Sequence, residues 1–296
     1  MKTLVPVIVL VCILVASSLS LAAESPGLVV SVKGEVSVGR GERLHDVTQG
    51  FILKAGDRLL ARSGGACSGF SPDGSHFDLH GPGEMEFGSA EGGGIGSAVA
   101  WLRLQLAEWI GESQRRPLTA RGGRDWDVRR PAVEQLLPAP NGAVRAGRAI
   151  FRWTDCPAAS KYTVVIAPEV GEEKTYTVRD CGLEPEGLVP GDRYVWRVAP
   201  EGAKGISAAS PWREFRVLTS EDEKAVDDVV AELGDLEAGV ALLAAGLHEE
   251  AVYRLDAAIG AAENEASARL WRARTLSDIG LYEDAYDDIA AAWYGR

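Results

Sequence analysis

Between residues 27 and 87 apolar and polar positions alternate over short runs punctuated by glycine. Leu28-Val29-Val30-Ser31-Val32, Glu35-Val36-Ser37-Val38 and Arg58-Leu59-Leu60-Ala61 carry the β-branched or period-two patterns of strands. Gly34, Gly41, Gly50, Gly56-Asp57, Gly64-Gly65 and Asp73-Gly74 supply the turns, and the block closes near Gly81-Pro82-Gly83. After the glycine-rich stretch 91–96 the period changes. Residues 97–113 set Val99, Leu102, Leu106, Trp109 and Ile110 mainly on one helical stripe. Alternation returns from about 137 to 218, with Phe151 and Trp153, then Tyr162, Val164 and Ile166, then Tyr194, Trp196 and Val198, then Phe215 and Val217 predicted inward. Aromatic residues at that spacing pack between two sheets. From Thr219 onward the period is helical: a hydroxyl cap, acids at Glu221 to Glu223, and apolar Val226, Val229, Val230 and Leu233.

The last stretch also repeats. Ala245-Gly246-Leu247-His248-Glu249-Glu250-Ala251 recurs 34 residues later as Ile279-Gly280-Leu281-Tyr282-Glu283-Asp284-Ala285. That period belongs to helix–turn–helix units that bury their apolar faces by stacking on copies of themselves. Gly239, Leu242, Ala251, Leu255 and Ala258 in one unit, and Ala273, Leu276, Ala285, Ile289 and Ala292 in the next, resemble tetratricopeptide repeats. Asp235 and Arg269 stand where that family places a tryptophan, and no proline ends either unit. Two units are below the usual minimum of about three, so the helix from Ser220 or a partner is expected to complete the stack.

Two further resemblances rest on the β blocks. Val32-x-Gly34-x-Val36-x-Val38, Gly50, Leu53-x-x-Gly56-Asp57-x-Leu59, Ser71-x-Asp73-Gly74-Ser75 and Leu79 resemble the FecR domain, an extracytoplasmic β-rich module. Signalling members of that family carry an anti-sigma segment before a membrane helix. Here only Met1 to Pro6 stand in that place, so the resemblance implies a binding or sensing module without sigma regulation. Phe151-x-Trp153, Ala158-x-x-Lys161-Tyr162 and Leu188-x-Pro190-Gly191-x-x-Tyr194-x-Trp196-x-Val198 resemble a fibronectin type III sandwich, which implies spacing or protein contact. The expected architecture is multidomain: a signal peptide (1–23), an all-β FecR-like module (24–90), a linker helix with an arginine-rich linker (91–140), a fibronectin III-like β-sandwich (141–219) and α-helical TPR-like repeats (220–296).

The start of the chain bears on compartment. Lys2, an apolar run from Leu4 to Val15 and small residues up to Ala23 predict a secretory signal peptide. The same run nearly reaches bilayer length, so an uncleaved anchor in the inner membrane is the alternative. Val11 stands where a lipoprotein box needs a small residue before Cys12. In an exported chain Cys156 and Cys181 are the candidate disulfide, which leaves Cys67 as a buried free thiol.

Charge is uneven. Residues 221–296 hold 18 acidic and 6 basic side chains and so carry the whole formal charge of −12. A single-sign surface favours basic protein partners and disfavours nucleic acid. Residues 114–130 hold six arginines, read as a solvated linker or as a basic strap for an acidic surface.

Chemistry is sparse. On a strand, His76, Asp78 and His80 share one face, a candidate set for a metal, small molecule or glycan. An outward polar face is also what any half-buried strand presents. Gly65-Ala66-Cys67-Ser68-Gly69 mimics a nucleophile elbow but lacks a strand–helix context. The glycines at 92–96 lack a Walker lysine, and no cofactor motif is present. The expectation is a non-catalytic envelope adaptor, with Glu237 and Arg269 as candidate partner contacts and deletion of 221–296 leaving the β domains folded. The alternative is a ligand sensor acting through His76, Asp78 and His80.

Overall fold

The computed structural model describes residues 27–40, 43–71, 75–87, 133–202, 209–261 and 265–294. The predicted signal segment, the stripe at 97–113 and the arginine-rich stretch 114–130 lie outside them.

Eight strands form the first unit: β1 (Gly27–Lys33), β2 (Val36–Arg40), β3 (Arg43–Asp46), β4 (Ile52–Leu53), β5 (Arg58–Ala61), β6 (Ala66–Phe70), β7 (His76–His80) and β8 (Gly83–Glu86). They make two four-stranded antiparallel sheets, ordered β4-β1-β6-β7 and β3-β2-β5-β8. Val29, Leu53, Cys67, Phe77 and Leu79 of the first sheet meet Val36, Val38, Leu59 and Ala61 of the second in a shared core. Asp57, buried in the turn before β5, is held by Nε and Nη2 of Arg40, at 2.8 and 2.7 Å, and by the amide of Lys54. A buried carboxylate is tolerated only with such partners.

The second unit is a β-sandwich. A three-stranded sheet, β14-β11-β9, packs on a five-stranded one, β10-β16-β15-β12-β13. Its strands are β9 (Gln135–Leu137), β10 (Gly142–Val144), β11 (Phe151–Trp153), β12 (Lys161–Pro168), β13 (Lys174–Val178), β14 (Gly182–Leu183), β15 (Arg193–Glu201) and β16 (Arg213–Val217). The alternating residues expected to point inward do so: Phe151, Trp153, Tyr162, Val164, Ile166, Tyr194, Trp196, Val198, Phe215 and Val217 form one core. Tyr194, at the start of β15, accepts a hydrogen bond from the Val189 amide at 3.0 Å. A tyrosine bonding back to the backbone at this corner is a feature of immunoglobulin-like sandwiches.

Five helices follow: α1 (Ser220–Val230), α2 (Asp235–Ala244), α3 (His248–Gly260), α4 (Glu265–Ile279) and α5 (Tyr282–Tyr294). Thr219 caps α1 in a reciprocal box with Asp222. The 34-residue repeat is visible as two hairpins, α2–α3 and α4–α5. Each first helix ends on a left-handed glycine, Gly246 (φ 82°) or Gly280 (φ 92°). The next amide reaches five residues back, Leu247 to Leu242 and Leu281 to Leu276, so both ends are the same glycine-dependent cap. Helix α1 packs on α2 and supplies the third layer that two repeats lack.

The units do not sit apart. Strand β1 is buried at all of its first five positions, where alternation would bury every second one. Its register with β6 shifts between Val29 and Ser31, leaving Val30 without a cross-strand partner. The bulge sends Val29 into the β core while Leu28 and Val30 join Phe70 in a core with Leu236, Val240, Leu243, Leu255 and Trp271 of the helices. The helices therefore cover the outer face of the first sheet. That overturns the expectation that residues 221–296 can be deleted with the β units intact, because Leu28, Val30 and Phe70 would face water.

Candidate binding surface

The contacts that hold the helices in place use up several residues read as outward-facing. Glu237, expected to meet a partner, is instead inside the joint between α2 and the first sheet, with its side chain 13% exposed. Ser68 donates to its Oε1 at 2.7 Å, and His76 Nε2 lies 3.9 Å from the same oxygen. Burial pushes the Glu237 carboxyl up, but the nearby His76 imidazole and the hydrogen bond from Ser68 outweigh it, and the net shift is downward. Arg269 is likewise engaged within the helices. It reaches Glu265 at 2.7 Å and Asp288 at 3.3 Å. Asp288 is only 3% exposed and is also held by Arg272, which in turn pairs with Asp256 of α3. Both candidate contacts are engaged by the chain's own sheet and helices, Glu237 within the joint and Arg269, a quarter exposed, within the helical stack.

Further bonds hold the helices to both β units. The indole Nε1 of Trp271 donates to the Val30 carbonyl at 2.9 Å, the group the bulge leaves free. Gln49 donates to the Ser267 carbonyl at 3.1 Å. On the sandwich side, the Ala143 amide donates to Gly246 at 2.9 Å, and Arg145, nearly buried, pairs with Asp227 and Glu250. A Cβ at Gly246 would stand 2.9 Å from the Ala143 nitrogen, so the glycine serves the close approach as well as the helix cap.

His76, Asp78 and His80 do share the exposed face of β7. His80 Nε2 lies 3.3 Å from Asp78 Oδ2, whereas His76 turns to Glu237. Among the described residues no group of three or more His, Cys, Asp or Glu side chains is placed to hold a metal ion. Cys67 lies within strand β6, not on a strand–helix turn, and burial together with the Asp78 charge pushes its thiol up to about 12. That is the opposite of an activated nucleophile.

Cys156 and Cys181, the candidate disulfide, are both free thiols. The Tyr162 hydroxyl lies beside both: it accepts from the Cys156 amide at 2.9 Å, donates to Asp155 at 2.7 Å, and has the Cys181 sulfur 3.7 Å away.

An exposed apolar stripe lies on α5. Tyr282, Tyr286 and Ile289 are 68, 71 and 43% exposed. At i, i+4 and i+7 they form one stripe, flanked on its solvent side by exposed Glu283 and Asp287. One repeat earlier, the positions matching Tyr286 and Ile289 are Val252 and Leu255. Val252 packs beside Ala273 and Leu276 of α4, and Leu255 is fully buried with Ala268 and Trp271. The α5 stripe is thus a stacking face without a helix on it among the described residues. Sequence reading named Ile289 as a repeat position and missed its exposure. Matching the two units position by position was the available signal, because the residues that α3 buries under α4 recur on α5.

No protein-family model matches the chain, and no curated protein matches it. Among solved structures it is similar to a fibronectin type III domain derived from the human KIAA0970 protein, at 18% identity and a TM-score of 0.25, over 30% of this chain and 75% of that one. The sandwich stands on its own strand order and core, not on that likeness. No described helix is long and apolar enough to cross a membrane.

Proposed function

We propose that the chain is a non-catalytic adaptor of the cell envelope that binds other proteins. In this reading a FecR-like β module and a fibronectin III-like sandwich form the frame on which TPR-like helices are mounted, and the apolar N-terminal run directs export. The observation that carries it is the uncovered stripe of Tyr282, Tyr286 and Ile289, of which the counterparts of Tyr286 and Ile289 one repeat earlier, Val252 and Leu255, are packed under a helix. Exposed aromatics on a rigid, well-supported helix are the residue types that anchor protein interfaces. The acidic flank adds selectivity for a partner of opposite charge.

The test is capture from crosslinked envelope fractions with the intact chain and with Ile289→Glu. A partner recovered by the first and lost by the second supports the reading. Identical recovery by both, or none by either, refutes it. Truncation at Ser220 is the wrong comparison, because it strips the cover from β1 and β6.

A further inference from the structure

Helix α4 documents, within this molecule, what covers a face of the α5 kind. It lies on α3 with Ala268, Trp271, Ala273 and Leu276 against Val252, Leu255 and Ala258. Its flank carries Arg269, Arg272 and Arg274, and Arg272 reaches back to Asp256 on the helix it covers. Apolar side chains fill the seam while an arginine beside it engages a carboxylate of the underlying helix. On α5 the seam positions are Tyr286 and Ile289, and the carboxylates beside them are Glu283 and Asp287.

Three occupants are conceivable, and charge separates them. A second copy laid α5 against α5 would bring Glu283, Asp284 and Asp287 against their own kind, which is repulsive. The chain's own stripe at 97–113 carries a single arginine, Arg103, against Glu108 and Glu112, and the six arginines of 114–130 are interrupted by Pro117, Gly122 and Gly123, so neither segment matches the arginine-flanked apolar helix of α4. We infer that the α5 face takes an amphipathic helix from a different protein, apolar at i, i+3, i+5 and i+8 as Ala268, Trp271, Ala273 and Leu276 are on α4, and flanked by arginine or lysine, which extends the helical stack by one element. This inference rests on the adaptor reading and names the chemistry of its partner. It is the helix-in-groove mode of recognition, with an acidic rim to orient the incoming helix.

The test uses the full chain with Tyr282→benzoylphenylalanine, a photocrosslinker at the edge of the stripe, and an end-blocked peptide of the α4 sequence EASARLWRARTLSDI as probe. The expected result is a saturable adduct with the peptide. Its yield should fall at least about tenfold when the three peptide arginines are replaced by glutamate, and likewise in Ile289→Glu, the loss of one interface anchor. Tyr286→Glu is the second variant should Ile289→Glu lose helical ellipticity. An adduct to residues 97–130 of the same chain would overturn the inference by making that segment the cover. An adduct of doubled mass would overturn it in favour of a second copy. No adduct, or equal yield with the glutamate peptide, would also overturn it. If the peptide fails while envelope capture remains sensitive to Ile289→Glu, the adaptor reading stands and only the partner's chemistry is wrong.

Discussion

Replacing Trp271 by phenylalanine separates a joint that is part of the fold from one that merely touches it. The indole Nε1 donates to the Val30 carbonyl at 2.9 Å in a buried setting, at the one β1 position without a cross-strand partner. Phenylalanine leaves that carbonyl unpaired, a loss of about 1–3 kcal/mol. The smaller ring also opens space between α4 and β1, adding about 1 kcal/mol. A total of about 3 kcal/mol lowers the melting temperature of a unit of this size by about 6–12 °C. Unfolding followed by helical ellipticity and by hydrogen exchange of the β1 amides should shift together, because Leu28, Val30 and Phe70 share one core with the helices. Trp212→Phe is the control, since that ring is half exposed over Arg197 and its loss should stay within about 0.5 kcal/mol. If Trp271→Phe melts like Trp212→Phe, or if the helices unfold while β1 keeps its protection, the shared-core argument is wrong.

Three other expectations rest on the same contacts. Because the Glu237 carboxyl lies below its ordinary 4.5 in the folded chain, its contribution to stability is present above that pH and is lost as pH falls through the folded value. Urea midpoints of wild type and Glu237→Gln should therefore differ most at neutral pH and converge below about pH 4.5, and parallel curves would contradict this. Gly239→Ala should destabilise by about 1 kcal/mol, because overpacking of about 2 kcal/mol exceeds a helix-propensity gain of about 1. The added Cβ would stand 2.6 Å from Cγ of the fully buried Leu255, and a variant as stable as wild type in chemical denaturation would show that α2 and α3 have room to part. Finally, a disulfide reagent at pH 8 should label half-buried Cys181 before buried Cys67, whose thiol is held protonated until the β core opens. Mass spectrometry of the labelled peptides decides the order.

Much of the local structure was legible because it obeys local rules. The cap at Thr219, the two glycine-terminated hairpins and the inward residues of β12 and β15 need only neighbours in sequence. The joint between the units was not legible, because Glu237 meets Ser68 across 169 positions and Trp271 meets Val30 across 241. Two signals nevertheless hinted at it. Leu28-Val29-Val30 is an unbroken apolar run, the mark of a strand buried on both faces. Helix α2 is apolar almost all round, which requires cover beyond α3. Glu237 looked like an exposed acid on that helix and turned out to be the polar centre of the seam.

Hydrogen exchange on the complex captured from the envelope, compared with the free chain, tests the central claim most directly. The account predicts new protection on α5 from Tyr282 through Ile289, with the β1–α4 joint unchanged. Protection appearing instead around His76, Asp78 and His80, with α5 unaffected, would contradict it and move the binding role to β7.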